Sequence, residues 1–366
     1  MTLLSSLSQK LSSAPADSIT DSVCDCLELI LNSFISQPEM LFGSSTTILT
    51  SEYFLKIIDL LQNNRRVRVC KEILESFHKF TLKTVSICDA VLIHSLFDIT
   101  RTVHDSVDCL SAVGEQENIS FLINGFIDKI DYGRDLEQQL NFYVECRAIF
   151  CNLAPIKNKL VSRVSRLAMN AYKIVKGKHS KKTANFVKAC LAYCHITIPS
   201  IIDTFRKLQL LLICAEVSLL NRCLPQTDTF LKAAISLIPD VPPSYEEKLA
   251  VHVSAMIAFL VVTPGHPGHG PFYIIQGLLN ALSLFNWEKE GGALKVKIYI
   301  NMLSLLCSLG QTKLPYHIDG VDSNDELYGC SKSYLSELSE IISSCIAEVL
   351  RQLATIGETD KVMQSR

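Results

Sequence analysis

A chain of 366 residues exceeds the usual span of one compact core, so it reads either as two domains or as one extended array; no linker interrupts its middle, and the array fits better. Hydrophobic residues make up 48% and charged ones 20%, which excludes disorder for the bulk of the chain. The formal net charge is -2, from 35 basic and 37 acidic residues, so global charge gives no argument for a nucleic-acid partner and only local asymmetry carries information.

Fourteen cysteines would mark a disulfide scaffold in a short secreted chain. Here Cys70, Cys190, Cys194, Cys214 and Cys345 fall at apolar helical positions and read as reduced core residues of a cytoplasmic protein. The pairs Cys24/Cys26, Cys146/Cys151 and Cys190/Cys194 lack the two-plus-two grouping of a zinc site.

In chain order, residues 1–17 are serine-rich, with Lys10 their only basic residue, and are expected to be disordered rather than a signal peptide. Helices are expected over Ser18–Ile35 and, after a polar loop from Gly43 to Thr50, from a cap at Ser51 through the stripe Phe54, Ile57, Ile58 and Leu61. Asn63-Asn64 is read as a turn into Val67, Cys70, Ile73, Leu74, Phe77 and Phe80. Further helices follow over Val91–Ile99, from Ile119 to Ile130, and over Leu136–Phe150.

From Cys146 to Ile202 there is no Asp or Glu, against eleven Lys and Arg. Ile156, Leu160, Val164, Leu167, Ala171 and Ile174 recur at spacings of three and four, with Pro155 as a first-turn proline and Gly177 as the stop. Lys159, Arg163, Arg166 and Lys173 line another face of that helix. Lys176, Lys178, Lys181 and Lys182 continue the basic run into a turn that Ser180 caps. These eight residues are the candidate partner-binding surface, since a merely solvated face normally mixes signs. A nearly all-apolar helix then spans Ala184–Cys194, and Pro199 opens the next.

The remaining helices are expected over Pro199–Asn221, Gln226–Ile238, Ser244–Val262, Pro271–Trp287, Leu294–Leu309 and Ser333–Ile356, with 357–366 as a flexible tail. Ser244 and Glu247 have the spacing of a capping box. The longest apolar runs, Leu208–Leu220 and Leu249–Val262, fall short of the ~18 residues a membrane span needs, so a soluble protein is expected. Absent strand alternation, residues 18–356 read as an all-α, HEAT-like α-solenoid of antiparallel helix pairs without a strict repeat. Ile341, Ile342, Ile346, Val349 and Leu353 on the last helix are expected to lack cover.

Three motifs invite chemistry and fail on spacing. Gly177–Thr183 resembles a phosphate loop, but position 172 is Tyr where a Walker motif requires Gly. His266 and His269 lie in a Pro/Gly turn and supply only two ligands, too few for a metal site. The Tyr316–Gly329 segment gathers four acids without EF-hand spacing and reads as a loop folding back on its own solenoid, with Ile318, Val321 and Leu327 needing burial. Trp287 is read as core packing beside Phe285. No Ser/His/Asp grouping and no His-Glu-x-x-His occurs, so no catalytic residue, cofactor or metal is assigned and no enzyme is expected.

Several strings carry a likeness beyond periodicity: Phe121–Phe126, Gly133–Gln139 running into Phe142–Glu145, Arg166–Met169, His179–Ala184 and the Tyr316–Gly329 loop. Together, over about Val103–Gly329, they resemble the large α-solenoid subunit of retriever, a relative of the large retromer subunit. The resemblance implies a noncatalytic scaffold of an endosomal retrieval and recycling coat, cytoplasmic and peripheral on endosomes. It implies metallophosphatase-fold and arrestin-fold partner subunits, Commander coiled-coil and COMM-domain proteins, and no nucleic acid. It also implies a longer parent protein, with the arrestin-fold site upstream of Met1 and further helices after Arg366. Sequence physics alone leaves two alternatives, a generic helical-repeat adaptor of nuclear transport or signalling and an all-α enzyme.

Overall fold

The runs of apolar residues spaced three and four apart are helices in the structure, a computed structural model that describes residues 2–13, 20–43, 48–81, 86–107, 111–266, 268–287, 292–314, 317, 320–329 and 331–364. It is 80% helical, and among the described residues extended backbone pairs only at the isolated bridges Ile87–Ile130 and His266–Gly270. The fold is all-α, as the periodicity implies. Internal contacts divide the chain into two units, Met1–Leu160 and Val161–Arg366.

The first unit holds α1 (Thr2–Ser12), α2 (Asp21–Ile35), α3 (Pro38–Phe42), α4 (Glu52–Asp59), α5 (Asn63–Thr81), α6 (Ala90–Asp105), α7 (Val113–Lys129), α8 (Leu136–Ile149) and the first turns of α9 (Ala154–Val175). Helix α5 is its hub, packing on α2, α3, α6 and α7. The core is a run of aromatic contacts: edge-on pairs of Phe42 with Phe77 at 5.4 Å, Phe77 with Phe126 at 6.4 Å and Phe126 with Phe142 at 5.7 Å, and a tilted pair of Phe97 with Phe150 at 5.6 Å. Such pairs contribute about 0.5–1.5 kcal/mol each beyond the area they bury. Arg65 ties α5 to α2 through Asp21, Asp25 and Glu28.

Several local expectations change here. In place of a disordered 1–17, residues 2–12 form α1, which packs on α4 and buries Leu4 and Ser8. The loop expected over Gly43–Thr50 contains a 3-10 turn at Ile48–Thr50, whose Ile48 and Leu49 are buried. Asn63 and Asn64 begin α5 rather than preceding it. Ser51 stands at the N-cap of α4 but makes no side-chain cap bond.

The second unit holds the rest of α9, α10 (Lys181–Thr197), α11 (Thr204–Leu220), α12 (Leu224–Leu237), α13 (Glu246–Leu260), α14 (Tyr273–Leu284), α15 (Gly292–Leu309), the short α16 (Asn324–Tyr328) and α17 (Lys332–Gln364). Helix α11 packs on its neighbour α12 and on the next-but-one α13; α13 packs on α15, α12 on α14, and α15 on α17. Pairing with the neighbour and with the helix two further on builds two layers, which is how an α-solenoid stacks hairpins.

Pro199 does not open α11. It lies in a 3-10 turn at Ile198–Ser200, and α11 starts at Thr204, where the Asp203 carboxylate accepts the Arg206 amide at 3.1 Å. The capping box expected at Ser244 is also absent: Pro243–Tyr245 is a 3-10 turn, and α13 starts at Glu246 behind Tyr245 with no side-chain cap. Two successive prolines hold the chain in that turn before the helix can begin.

The 18-residue helix Gly292–Leu309 has a mean hydropathy of 1.3 and by length and composition is apolar enough to cross a membrane, a run the sequence reading passed over. Its packing on α13 and α17, and the ion pair of buried Lys295 with Glu348 at 2.8 Å, give it the part of a core helix. Helix α17 runs through the expected 357–366 tail as far as Gln364. On it Ile341 is buried and Ile342 and Val349 are half-buried, so of the five expected only Ile346 and Leu353 are exposed, with Leu335 and Leu350 also exposed among the described residues.

Candidate partner-binding surface

Helix α9 forms because its apolar stripe has a wall to bury against: Ile156, Leu160, Val161, Val164, Leu167, Ala168 and Ala171 are all buried, each aliphatic side chain contributing about 1.5–3 kcal/mol. Ile174, the last member of the expected stripe, is exposed instead. In the second unit a buried polar contact fixes the helix. Ser165 Oγ donates to Val161 O at 2.9 Å and lies 3.7 Å from Cys194 Sγ on α10 and 3.5 Å from Cys214 Sγ on α11. These thiols are core residues, as the sequence implies. Burial pushes the Cys70 and Cys190 thiols up to about 12 and that of Cys345 to about 11.

Beside the buried stripe, the basic residues at 159, 163, 166 and 173 share an arc of roughly 80° at 100° per residue. The structure divides them. Lys159 Nζ pairs with Asp128 on α7 at 2.6 Å, so its charge is engaged inside the first unit. Arg163 is half-buried. Arg166 and Lys173 are exposed and form no ion pair among the described residues.

The turn that follows extends the charge. Lys176 and Gly177 take left-handed φ values of +51° and +75°, and the Gly177 amide donates to Tyr172 O at 3.1 Å, closing α9. Gly177 is therefore the stop its sequence position implies. The Ser180 cap is also present: its Oγ accepts the Thr183 amide at 3.3 Å while Thr183 Oγ1 accepts the Ser180 amide at 2.9 Å. Lys176, Lys178, Lys181 and Lys182 are all exposed around this turn. The His179 ring lies 6.4 Å from that of Tyr172, with both its nitrogens shielded from solvent and without a hydrogen-bond partner among the described residues. Five exposed cations, Arg166, Lys173, Lys176, Lys178 and Lys181, thus remain without an acid among the described residues. Such a set concentrates positive charge along α9 and the turn after it.

The other motifs resolve into connections. His266 Nδ1 accepts the Gly268 and His269 amides at 3.0 and 3.1 Å, so this ring caps its own loop, and the His269 ring stacks on Tyr273 at 4.5 Å. Among the described residues no three His, Cys, Asp or Glu side chains are grouped as metal ligands. Of the Tyr316–Gly329 segment, the described residues 320–329 fold back on their own unit, through residues other than those expected. Ser323 and Asn324 are buried, Val321 is half-buried, Leu327 is exposed, and Ile318 lies outside the described residues. A capping box between Ser323 and Glu326 starts α16, Asp325 accepts the Leu314 amide at 3.1 Å, and Asn324 Oδ1 accepts the Gly265 amide at 2.7 Å. Trp287 is half-buried, donates to Leu282 O at 3.1 Å and meets the buried Phe285 edge-on, as packing requires.

A family model described as the VPS35L C-terminal domain matches residues 27–366. The chain is 41% identical over 340 residues to the Mus musculus protein named VPS35 endosomal protein-sorting factor-like, covering 90% of this chain and 35% of that one. It is 40% identical over 344 residues to the Homo sapiens protein of the same name, covering 91% and 35%. With the Dictyostelium discoideum VPS35 endosomal protein sorting factor-like the identity is 40% over 322 residues, covering 86% and 32%. The chain spans about a third of the length of the curated relatives it matches.

Proposed function

The chain belongs to the VPS35L C-terminal domain family, and from that premise we propose that it acts in endosomal protein sorting as a noncatalytic scaffold, the helical part of a retriever-like coat that returns membrane cargo from endosomes to the cell surface. The observation that carries the reading is the match over residues 27–366 to this family, on an all-α chain whose second unit stacks its helices in two layers. In this reading the array holds a metallophosphatase-fold subunit, joins an arrestin-fold subunit and Commander coiled-coil and COMM-domain proteins within the assembly, and sits on the endosomal membrane peripherally, from the cytoplasm. The exposed cations of α9 and the α9–α10 turn dock an acidic surface of one of these partners.

Copurification of the tagged chain from cells, with the bound subunits identified by mass spectrometry and the tag located by microscopy, tests the proposal. Recovery of a metallophosphatase-fold subunit and endosomal puncta are expected. Recovery of nuclear-transport or signalling components in their place, with diffuse or nuclear staining, overturns it.

A further inference from the structure

The loop that joins α12 to α13 contains the string Pro242-Pro243-Ser244-Tyr245. It lies between and within two 3-10 turns, Ile238–Asp240 and Pro243–Tyr245. Between the turns the backbone is extended, with φ and ψ of −71° and 131° at Val241 and −59° and 139° at Pro242, the polyproline II region. Buried Val241 anchors the loop, while Asp240, Pro242 and Ser244 are exposed. The Tyr245 amide donates to Pro242 O at 3.0 Å and closes the turn ahead of α13.

Starting a helical turn accounts for one of the two prolines. Pro243 holds the first position of its turn, where a missing N–H leaves no bond unmade. Pro242 stands before that turn with its ring exposed. Because the ring fixes φ, this backbone already has the form that a proline-reading groove takes, and binding it orders little chain. Such grooves are lined by aromatic side chains that hold proline rings. Tyr245, half-buried, supplies a flat apolar ring with a hydroxyl at its tip. That ring stacks on Phe205 at 5.0 Å, and Lys248 Nζ lies 5.3 Å from its centroid.

We propose that the α12–α13 loop is the ligand of a partner domain of the WW type, one that reads Pro-Pro-x-Tyr in an aromatic-lined groove. Pro242 and Pro243 enter the aromatic slot and Tyr245 a second one, while Ser244 between them is not read. To enter, the Tyr245 ring leaves Phe205, so Phe205 competes with the partner and the folded chain binds more weakly than a free peptide of the same sequence. Pro239 and Pro242 also have the spacing that an SH3 groove takes, but Val241 between them is buried and Pro239 sits in a 3-10 turn, so that stretch is not presented. The inference does not depend on the basic surface or on the coat in which the chain works.

The test titrates the full chain into a panel of labelled WW domains that bind Pro-Pro-x-Tyr peptides, with an SH3 domain alongside, and reads fluorescence anisotropy. Circular dichroism and the thermal midpoint of each variant check that the fold is kept. Expected is saturable binding of a WW domain, weakened about tenfold or more by Pro242→Ala and by Tyr245→Ala and kept in Ser244→Ala. Tyr245→Phe preserves the ring on Phe205, so it carries the test if the other variants lose their fold, and it should weaken binding about threefold or more. A peptide of residues 236–249 should compete with the chain and bind more tightly. The proposal is overturned if no WW domain binds the chain, whether or not the peptide is bound, if the SH3 domain binds in their place, or if folded Pro242→Ala or Tyr245→Phe binds as the parent does.

Discussion

The side-chain oxygen of Asn324 accepts the backbone N–H of Gly265 at 2.7 Å, joining the first residue of α16 to a loop 59 residues earlier in sequence. Asn324 is buried, so the bond forms where water cannot replace it. Asn324→Ala leaves that amide without an acceptor and should cost about 1–3 kcal/mol in urea unfolding, whereas Asn324→Asp keeps an acceptor and should recover part of the loss. Gly265→Ala should cost more, because a Cβ there would lie 2.7 Å from Pro271 Cα and 2.9 Å from Asn324 Oδ1. Equal stability of parent and Asn324→Ala would mean that the loop and α16 do not hold each other.

Glu348 gives the second unit an acid-sensitive contact. Its carboxyl is held down to about 2, first by the Arg351 hydrogen bonds and, against the opposing effect of burial, by those of Lys295 and Gln352. A folded pKa below the unfolded value stabilises fully above that unfolded value, near 4.5, and the contribution is lost as pH falls toward 2. Glu348→Gln should therefore be less stable than the parent by about 2–3 kcal/mol at pH 7, the difference narrowing between pH 4.5 and 3. Denaturant midpoints at pH 7, 4.5 and 3 read this directly, and a difference that stays constant across the series contradicts it.

The basic surface should act only as a set. Exposed ion pairs contribute about 1 kcal/mol or less each, so single substitutions should leave partner recovery unchanged. Arg166, Lys173, Lys178 and Lys181 changed together to Glu should keep helicity and reduce recovery of the proposed partner subunits, more at low salt than at high salt. Unchanged recovery at every salt concentration assigns these residues to solvation alone.

Thiol reactivity should follow burial. At pH 7.5 a small alkylating reagent should label exposed Cys26, Cys88, Cys151 and Cys307 within minutes and spare buried Cys70, Cys146, Cys190 and Cys194 until denaturant is added. Peptide mass spectrometry over a time course distinguishes the two groups, and early labelling of Cys190 or Cys194 would show that the second unit opens where the structure has it closed.

Helix existence was legible in the sequence because a buried face repeats every three or four residues, as Ile156 to Ala171 does. Helix starts were less so. Ser180 caps as its sequence implies, while Ser244 has the same type of signal and fails, since two prolines before it draw it into a 3-10 turn. The charge of the basic surface was visible as an acid-free run, but Asp128, which engages Lys159, sits 31 positions earlier and only packing brings it there.

Layer pairing in the second unit has a consequence for how damage combines. Helix α11 touches α12 and α13, while α17 rests on α15, so a defect at one end of the stack has no shared neighbour through which to meet a defect at the other. Substitutions in separate contacts, such as Leu208→Ala on α11 and Leu338→Ala on α17, should add within about 0.5 kcal/mol. A pair across one contact, such as Leu306→Ala on α15 with Leu338→Ala on α17, should not. The chain should thus tolerate scattered mutations as the sum of small independent losses and fail where two fall on the same pair of helices.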